Sequence, residues 1–193
     1  FFSLLLAGFG DLSVGILGIA AVLIFIAHSL PPLFIARTGY GEILEAFLLA
    51  AIYPLLGYSL QSSNFHYAVS ILIFPLFLQV VAYLLAIAFP RFGRDDDQGT
   101  HSILHRLTWQ KAVSVHHILL LASYAIVCLM PFAGIPWSLS WPVLLGLPLA
   151  ILQIVWLQHI ADGGKALWKV FKILPPVSCI LFSYLFTFSF WSH

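Results

Sequence analysis

Residues 67–89 read YAVSILIFPLFLQVVAYLLAIAF, twenty-three consecutive positions without a charged side chain. A helix rises about 1.5 Å per residue, so such a run crosses the roughly 30 Å hydrocarbon core of a bilayer while keeping its backbone hydrogen bonds internal. The chain then turns abruptly polar: residues 90–112 read PRFGRDDDQGTHSILHRLTWQKA. An apolar run that ends on a charged loop is the signature of a membrane span, and it repeats on both sides of this one.

Further segments of the same kind lie at about 12–30, 42–60, 113–130, 141–160 and 174–191. The expected fold is therefore all-α, a polytopic bundle of about six transmembrane helices forming one membrane domain over residues 1–193. Residues 1–9, FFSLLLAGF, read as the tail of an earlier helix, cut off by Gly10 and Asp11. The chain opens on Phe1 and its only methionine is Met130, so a segment upstream of Phe1 is expected, either a removed signal peptide or a further part of the protein. Pro54, Pro75, Pro142, Pro148, Pro175 and Pro176 fall in or at the ends of the segments and imply kinks rather than breaks. Trp109, Trp137, Trp141, Trp168 and Trp191 fall near segment ends, where an amphipathic ring prefers the headgroup level.

Composition narrows the function classes. The chain is 62% hydrophobic and 8% charged, with a mean hydropathy of +1.04. Soluble domains carry about a quarter charged residues, so a soluble fold is excluded. A net charge of +1 provides no basic field for nucleic acid. The two cysteines, Cys128 and Cys179, sit inside apolar runs and point to neither a disulfide framework nor a zinc site.

All eight basic residues fall in three alternate loops: Arg37 in the first, Arg91, Arg94, Arg106 and Lys111 in the second, Lys165, Lys169 and Lys172 in the third. The intervening loops, 61–66 and 131–140, have none. The positive-inside rule places the basic loops in the cytoplasm, in a bacterial-type cytoplasmic membrane, and the C-terminus at His193 outside.

The second basic loop is where chemistry is expected. Asp95, Asp96 and Asp97 offer carboxylates suited to Mg²⁺, a hard cation that bridges carboxylates and phosphates; the plain alternative is a charge-balanced solvated loop. Three further features need no ligand site. His28, His101, His105, His116, His117 and His159 gather at the cytoplasmic level and read as interfacial histidines bonded to carbonyls or headgroups, without haem or pigment. Gly8, Gly10, Gly15 and Gly18 permit close helix approach, and Glu42 and Glu45 lie where a helix N-terminus favours negative charge. No ionisable residue is expected at mid-depth, which argues against a transporter or channel.

Two stretches together resemble the UbiA superfamily of intramembrane prenyltransferases, in particular its dihydroxynaphthoate polyprenyltransferase-like branch. The first is His28-Ser29-Leu30-Pro31-Pro32-Leu33, then Arg37, then Gly39-Tyr40-Gly41-Glu42. The second is Phe89-Pro90-Arg91 through Asp95, Gly99, Ile103, Arg106 and Leu107. The resemblance implies a nine-helix fold with two aspartate-rich motifs holding Mg²⁺ against an isoprenoid diphosphate. This chain corresponds to the last six helices, and the first aspartate motif would lie upstream. On that pattern Asp95, Asp96 and Asp97 would hold the metal, and Arg37 and Arg106 the diphosphate. The pattern is disrupted where Arg91 replaces the first metal-binding aspartate and Ala88 an acidic or amide residue, and Arg91 would instead pair with Asp95. A guanidinium in a cation site repels the metal at any relevant pH.

Two functions follow as expectations. One is a UbiA-like protein that has lost catalysis and serves as a subunit, or as a lipid- or quinone-sized pocket, in a larger membrane assembly. The other is an active Mg²⁺-dependent aromatic prenyltransferase of menaquinone-type biosynthesis. Expected partners are membrane lipid, an isoprenoid or quinone, and other membrane subunits.

Overall fold

The computed structural model describes residues 12–30, 35, 39–61, 67–92, 102–165 and 168–191. Every regular element among them is helical. Helix α1 is Leu12–Ser29, α2 runs over Gly41–Gln61, and α3 is Tyr67–Ala88, prolonged by a 3₁₀ turn at Phe89–Arg91. The short α4 is Ile103–Leu107. Helix α5 runs over Trp109–Ala133, α6 over Trp137–Ala161 and α7 over Trp168–Trp191.

Five of these (α2, α3, α5, α6 and α7) are long and apolar enough to cross a membrane, and α1 supplies a shorter apolar helix, Val14–Ser29. The chain is an all-helical, multi-pass membrane bundle. Large side chains such as Ile16, Phe74, Ile118, Val155 and Ile180 face outward, each more than half exposed. In water such a surface would aggregate; in a bilayer, tails as apolar as leucine solvate it.

Helices α3, α5, α6 and α7 close into a ring, each packed against the next, with the most extensive contact between α3 and α5. Its core is Ala82 of α3, Leu120, Tyr124 and Val127 of α5, Val143 and Ala150 of α6, and Phe182 and Phe186 of α7. Helix α2 packs on the flank of α3 through Ala46, Ala50, Val80, Val81 and Leu84. Helix α1 packs on α2 through Ala21, Leu48 and Ile52.

Three expected boundaries are corrected. Helix α5 starts at Trp109 rather than 113, α6 at Trp137 rather than 141, and α7 at Trp168 rather than 174. Lys111, Lys169 and Lys172 lower the hydropathy of the first turns of α5 and α7 but stay exposed, so they do not interrupt those helices. The prolines lie within continuous helices, and two of them sit at a local change of helix type. Pro54 would meet the carbonyl of Ala50 in a regular α-helix. The turn before it widens instead into a π-helix, Leu48–Ile52, and the Tyr53 N–H donates to Leu48. Pro142 sits in a 3₁₀ stretch, Trp141–Gly146, that tightens the first half of α6. Of the glycines expected to bring α1 close to a neighbour, Gly15 faces open space; Gly8 and Gly10 lie outside the described residues.

Candidate functional site

One end of the bundle collects the termini of α2, α3, α4, α5 and α7. Phe89 packs edge-on against Trp109 (4.9 Å between ring centroids) and Phe171 (6.4 Å), and Trp109 against Trp168 (6.2 Å). Beneath these rings lie Leu85, Ala86, Leu104, Ala112, Val113 and Leu157. Arg91, Arg106, Lys111, Lys165, Lys169 and Lys172 are carried by elements or turns at this same end. It is the charged end expected from the loops.

There the structure joins the two stretches that carry the family resemblance. Glu42 Oε1, on the first turn of α2, accepts a hydrogen bond from the backbone N–H of Ile103, 3.1 Å away, at the start of α4. The first N–H groups of a helix have no partner within it, so the carboxylate satisfies a donor that α4 cannot. Glu42 therefore serves the N-terminus of another helix, 61 residues away in sequence, as well as lying at its own. The Arg106 guanidinium lies over the Tyr40 ring, 4.3 Å from its centroid, a cation–π contact.

Gly39 makes that approach possible. Its φ is +78°, and a Cβ there would lie 2.8 Å from Arg106 Nε and 3.1 Å from the Ser102 carbonyl. On the other side of α4, Ser102 Oγ lies 2.8 Å from His105 Nδ1, and the His105 ring stacks on Phe92 at 4.8 Å.

The expected site residues divide as follows. Arg106 is exposed and engaged with Tyr40. Ala88 is buried in the apolar layer under the aromatic rings, and Arg91 is exposed at the end of the 3₁₀ turn. Arg37, Asp95, Asp96, Asp97 and His101 lie outside the described residues, as does the expected Arg91–Asp95 pair. Among the described residues no group of three or more His, Cys, Asp or Glu side chains is placed to hold a metal ion. At positions 88 and 91 a buried methyl and an exposed guanidinium do not fit a cation, so no step through Mg²⁺ is derived.

A second polar layer, which the sequence reading missed, lies inside the ring of four helices. Ser123 of α5 donates to Gln79 Oε1 of α3 (3.0 Å), and Gln79 Nε2 donates to Ser178 Oγ of α7 (3.3 Å). Gln153 Nε2 of α6 lies 2.8 Å from His116 Nε2 of α5. All five side chains are at most 1% exposed. The expectation that His116 is interfacial is thus corrected: it faces the bundle interior, about 10 Å along α5 from Trp109 at 1.5 Å per residue. A lone Gln79 or Gln153 inside an apolar run was the available signal.

Recesses open on the outside of the bundle, two of them larger than 300 Å³. One, of about 330 Å³, lies between α2, α3 and α7 and is lined by Leu49, Pro54, Leu72, Leu76, Phe186 and Phe190 among others. The other, of about 350 Å³, lies at the charged end and is lined by Ile35, Tyr40, Ile43, Leu44, Phe47 and Phe77.

No family model, curated protein or solved structure matches this chain.

Proposed function

We propose that the chain is a UbiA-like membrane protein that no longer catalyses prenyl transfer and serves as a subunit, or as a lipid- or quinone-sized pocket, in a larger membrane assembly. The observation that carries the proposal is the joining of the Gly39–Glu42 turn to the Ser102–Arg106 segment by the Glu42–Ile103 and Tyr40–Arg106 contacts. The same two segments carry the resemblance, so the scaffold of the ancestral site persists. Its chemistry does not fit: Arg91 stands where a metal-binding carboxylate belongs, and Ala88 is buried in an apolar layer. A cation there would meet a positive charge and a methyl group. In this reading the basic loops face the cytoplasm and the recesses receive amphiphiles from the bilayer.

The test is prenyl transfer by the full-length protein in vesicles, with an isoprenyl diphosphate, an aromatic acceptor and Mg²⁺. No turnover is expected. Turnover that requires Mg²⁺ and disappears in Asp95→Asn would overturn the proposal in favour of an active aromatic prenyltransferase.

A further inference from the structure

A smaller recess, of about 200 Å³, lies between α1 and α2 and is lined by Phe25, His28, Glu45, Leu48, Leu49 and Tyr53. Phe25, Leu49 and Tyr53 are 59%, 42% and 44% exposed, so its mouth opens sideways into lipid. Its ionisable groups belong to the charged end of the bundle. His28 is in the last turn of α1, and Glu45 lies four residues into α2, about 6 Å along the helix from Gly41 at 1.5 Å per residue. Both side chains are half-buried. The two carboxylates at the start of α2 differ in what they meet. Glu42 directs one oxygen to the Ile103 N–H. Glu45 makes no hydrogen bond or ion pair among the described residues, and no lysine or arginine lines the recess with it. A carboxylate half withdrawn from water, with apolar walls beside it, attracts a cation that brings its own hydrocarbon.

We propose that this recess holds a phospholipid whose headgroup ends in a primary ammonium, with the ammonium on Glu45, the phosphate on His28 and one acyl chain along Phe25, Leu48 and Leu49. Charge complementarity selects the ligand class. A primary ammonium donates N–H bonds to a carboxylate, and such charge-assisted bonds are about twice as strong as neutral ones. The quaternary ammonium of a choline headgroup carries the same charge and no N–H, and an anionic headgroup offers Glu45 no partner at all. His28 suits the other half of the headgroup. Ser29 Oγ lies 3.5 Å from His28 Nδ1; with that hydroxyl donating, Nε2 carries the imidazole proton and offers it to a phosphate oxygen. The inference deepens the lipid-pocket reading above and rests on it.

The full-length protein, reconstituted in vesicles of equal phosphatidylethanolamine and phosphatidylcholine with matched acyl chains, would be extracted gently and examined by native mass spectrometry. The expected result is one retained phosphatidylethanolamine, at least about fivefold over phosphatidylcholine. Glu45→Gln should abolish the preference and Glu45→Asp keep part of it. Leu49→Trp, which fills the recess while leaving the carboxylate, should reduce retention of both lipids. Equal retention of the two lipids by the unmodified protein overturns the proposal. So does an undiminished preference in Glu45→Gln or undiminished retention in Leu49→Trp, and either variant decides alone should the other fail to fold. A recess covered by protein, read as cross-linking from a photoreactive residue at position 49 to another polypeptide segment instead of to lipid, overturns it as well. Prenyl transfer measured on the same vesicles separates this proposal from the non-catalytic reading. Turnover ends that reading whatever lipid is retained, and absent lipid preference without turnover ends this proposal alone.

Discussion

At the scale of single residues, the most consequential side chains are the polar ones enclosed by apolar helices. With Gln153 Nε2 donating, His116 Nε2 accepts and the imidazole proton sits on Nδ1. His116 Nδ1 and Gln153 Oε1 are buried and make no other hydrogen bond. Each residue therefore depends on the other for its one bond. Removing one partner of such a pair leaves the other unsatisfied, at about 1–3 kcal/mol, although interhelical hydrogen bonds in membranes average only about 0.6 kcal/mol. Gln153→Leu should then destabilise the protein by about 1–2 kcal/mol, whereas the double variant His116→Leu/Gln153→Leu should cost less than the two single changes added together. Unfolding in mixed micelles of rising denaturing-detergent content measures this, and strict additivity would show that the pair is not coupled. A second test at this scale concerns Gly146, where a Cβ would lie 2.7 Å from Tyr124 Oη. Tyr124 cannot easily retreat, because it is buried and packed edge-on against Phe182 at 5.3 Å. Gly146→Ala should cost about 1–3 kcal/mol by overpacking. Most of that loss should disappear in a Tyr124→Phe background, which removes the clashing oxygen. The sequence holds no local sign of either relation, since the partners belong to different helices and a single amide barely moves a hydropathy average.

At the scale of elements, the helices were legible because their signal is local and the contacts between them were not. Twenty apolar residues announce a span whatever surrounds them. The first turns of α5 and α7 escaped because lysines there snorkel out of a helix that hydropathy takes to have ended. Helix α4 is the opposite case: five residues long, it is too short to be stable alone and forms where tertiary contacts hold it. One of those contacts is the Glu42 carboxylate on the Ile103 N–H. Glu42→Ala should speed amide hydrogen exchange across residues 103–107 severalfold and cost about 1 kcal/mol, the usual loss when a helix N-terminus loses a side-chain acceptor. Glu42→Gln, which keeps an acceptor oxygen, should restore much of the protection. Unchanged exchange in Glu42→Ala would mean that α4 is held by Leu104 and the aromatic rings alone. The sequence shows Gly39 and Arg106 in two separate stretches but not the reason for the glycine: a Cβ at position 39 would meet the Arg106 side chain and the Ser102 carbonyl, at a positive φ.

At the scale of the whole molecule, the arrangement of charge constrains how the bundle sits in a membrane. The described basic residues belong to the end where α2 begins, α3 ends and α5 and α7 begin. The opposite end holds the turn between α5 and α6, around Phe132, which is 89% exposed and has no basic neighbour in residues 131–140. Transfer of lysine and arginine across the bilayer is disfavoured for short loops, so the two ends should face different compartments, the basic one inward. Both native cysteines are free, Cys128 exposed and Cys179 partly buried, and both would be replaced by alanine to clear the background. In that background a cysteine at Phe132 should react with a membrane-impermeant thiol reagent added to intact cells. A cysteine at Lys165, on the exposed turn between α6 and α7, should react only after the membrane is opened. Reactivity of both from the same side would mean that α6 does not cross, and that its 3₁₀ stretch at Trp141–Gly146 marks a re-entrant segment. Reversed reactivity would keep the crossings but turn the charged end outward, against the positive-inside rule.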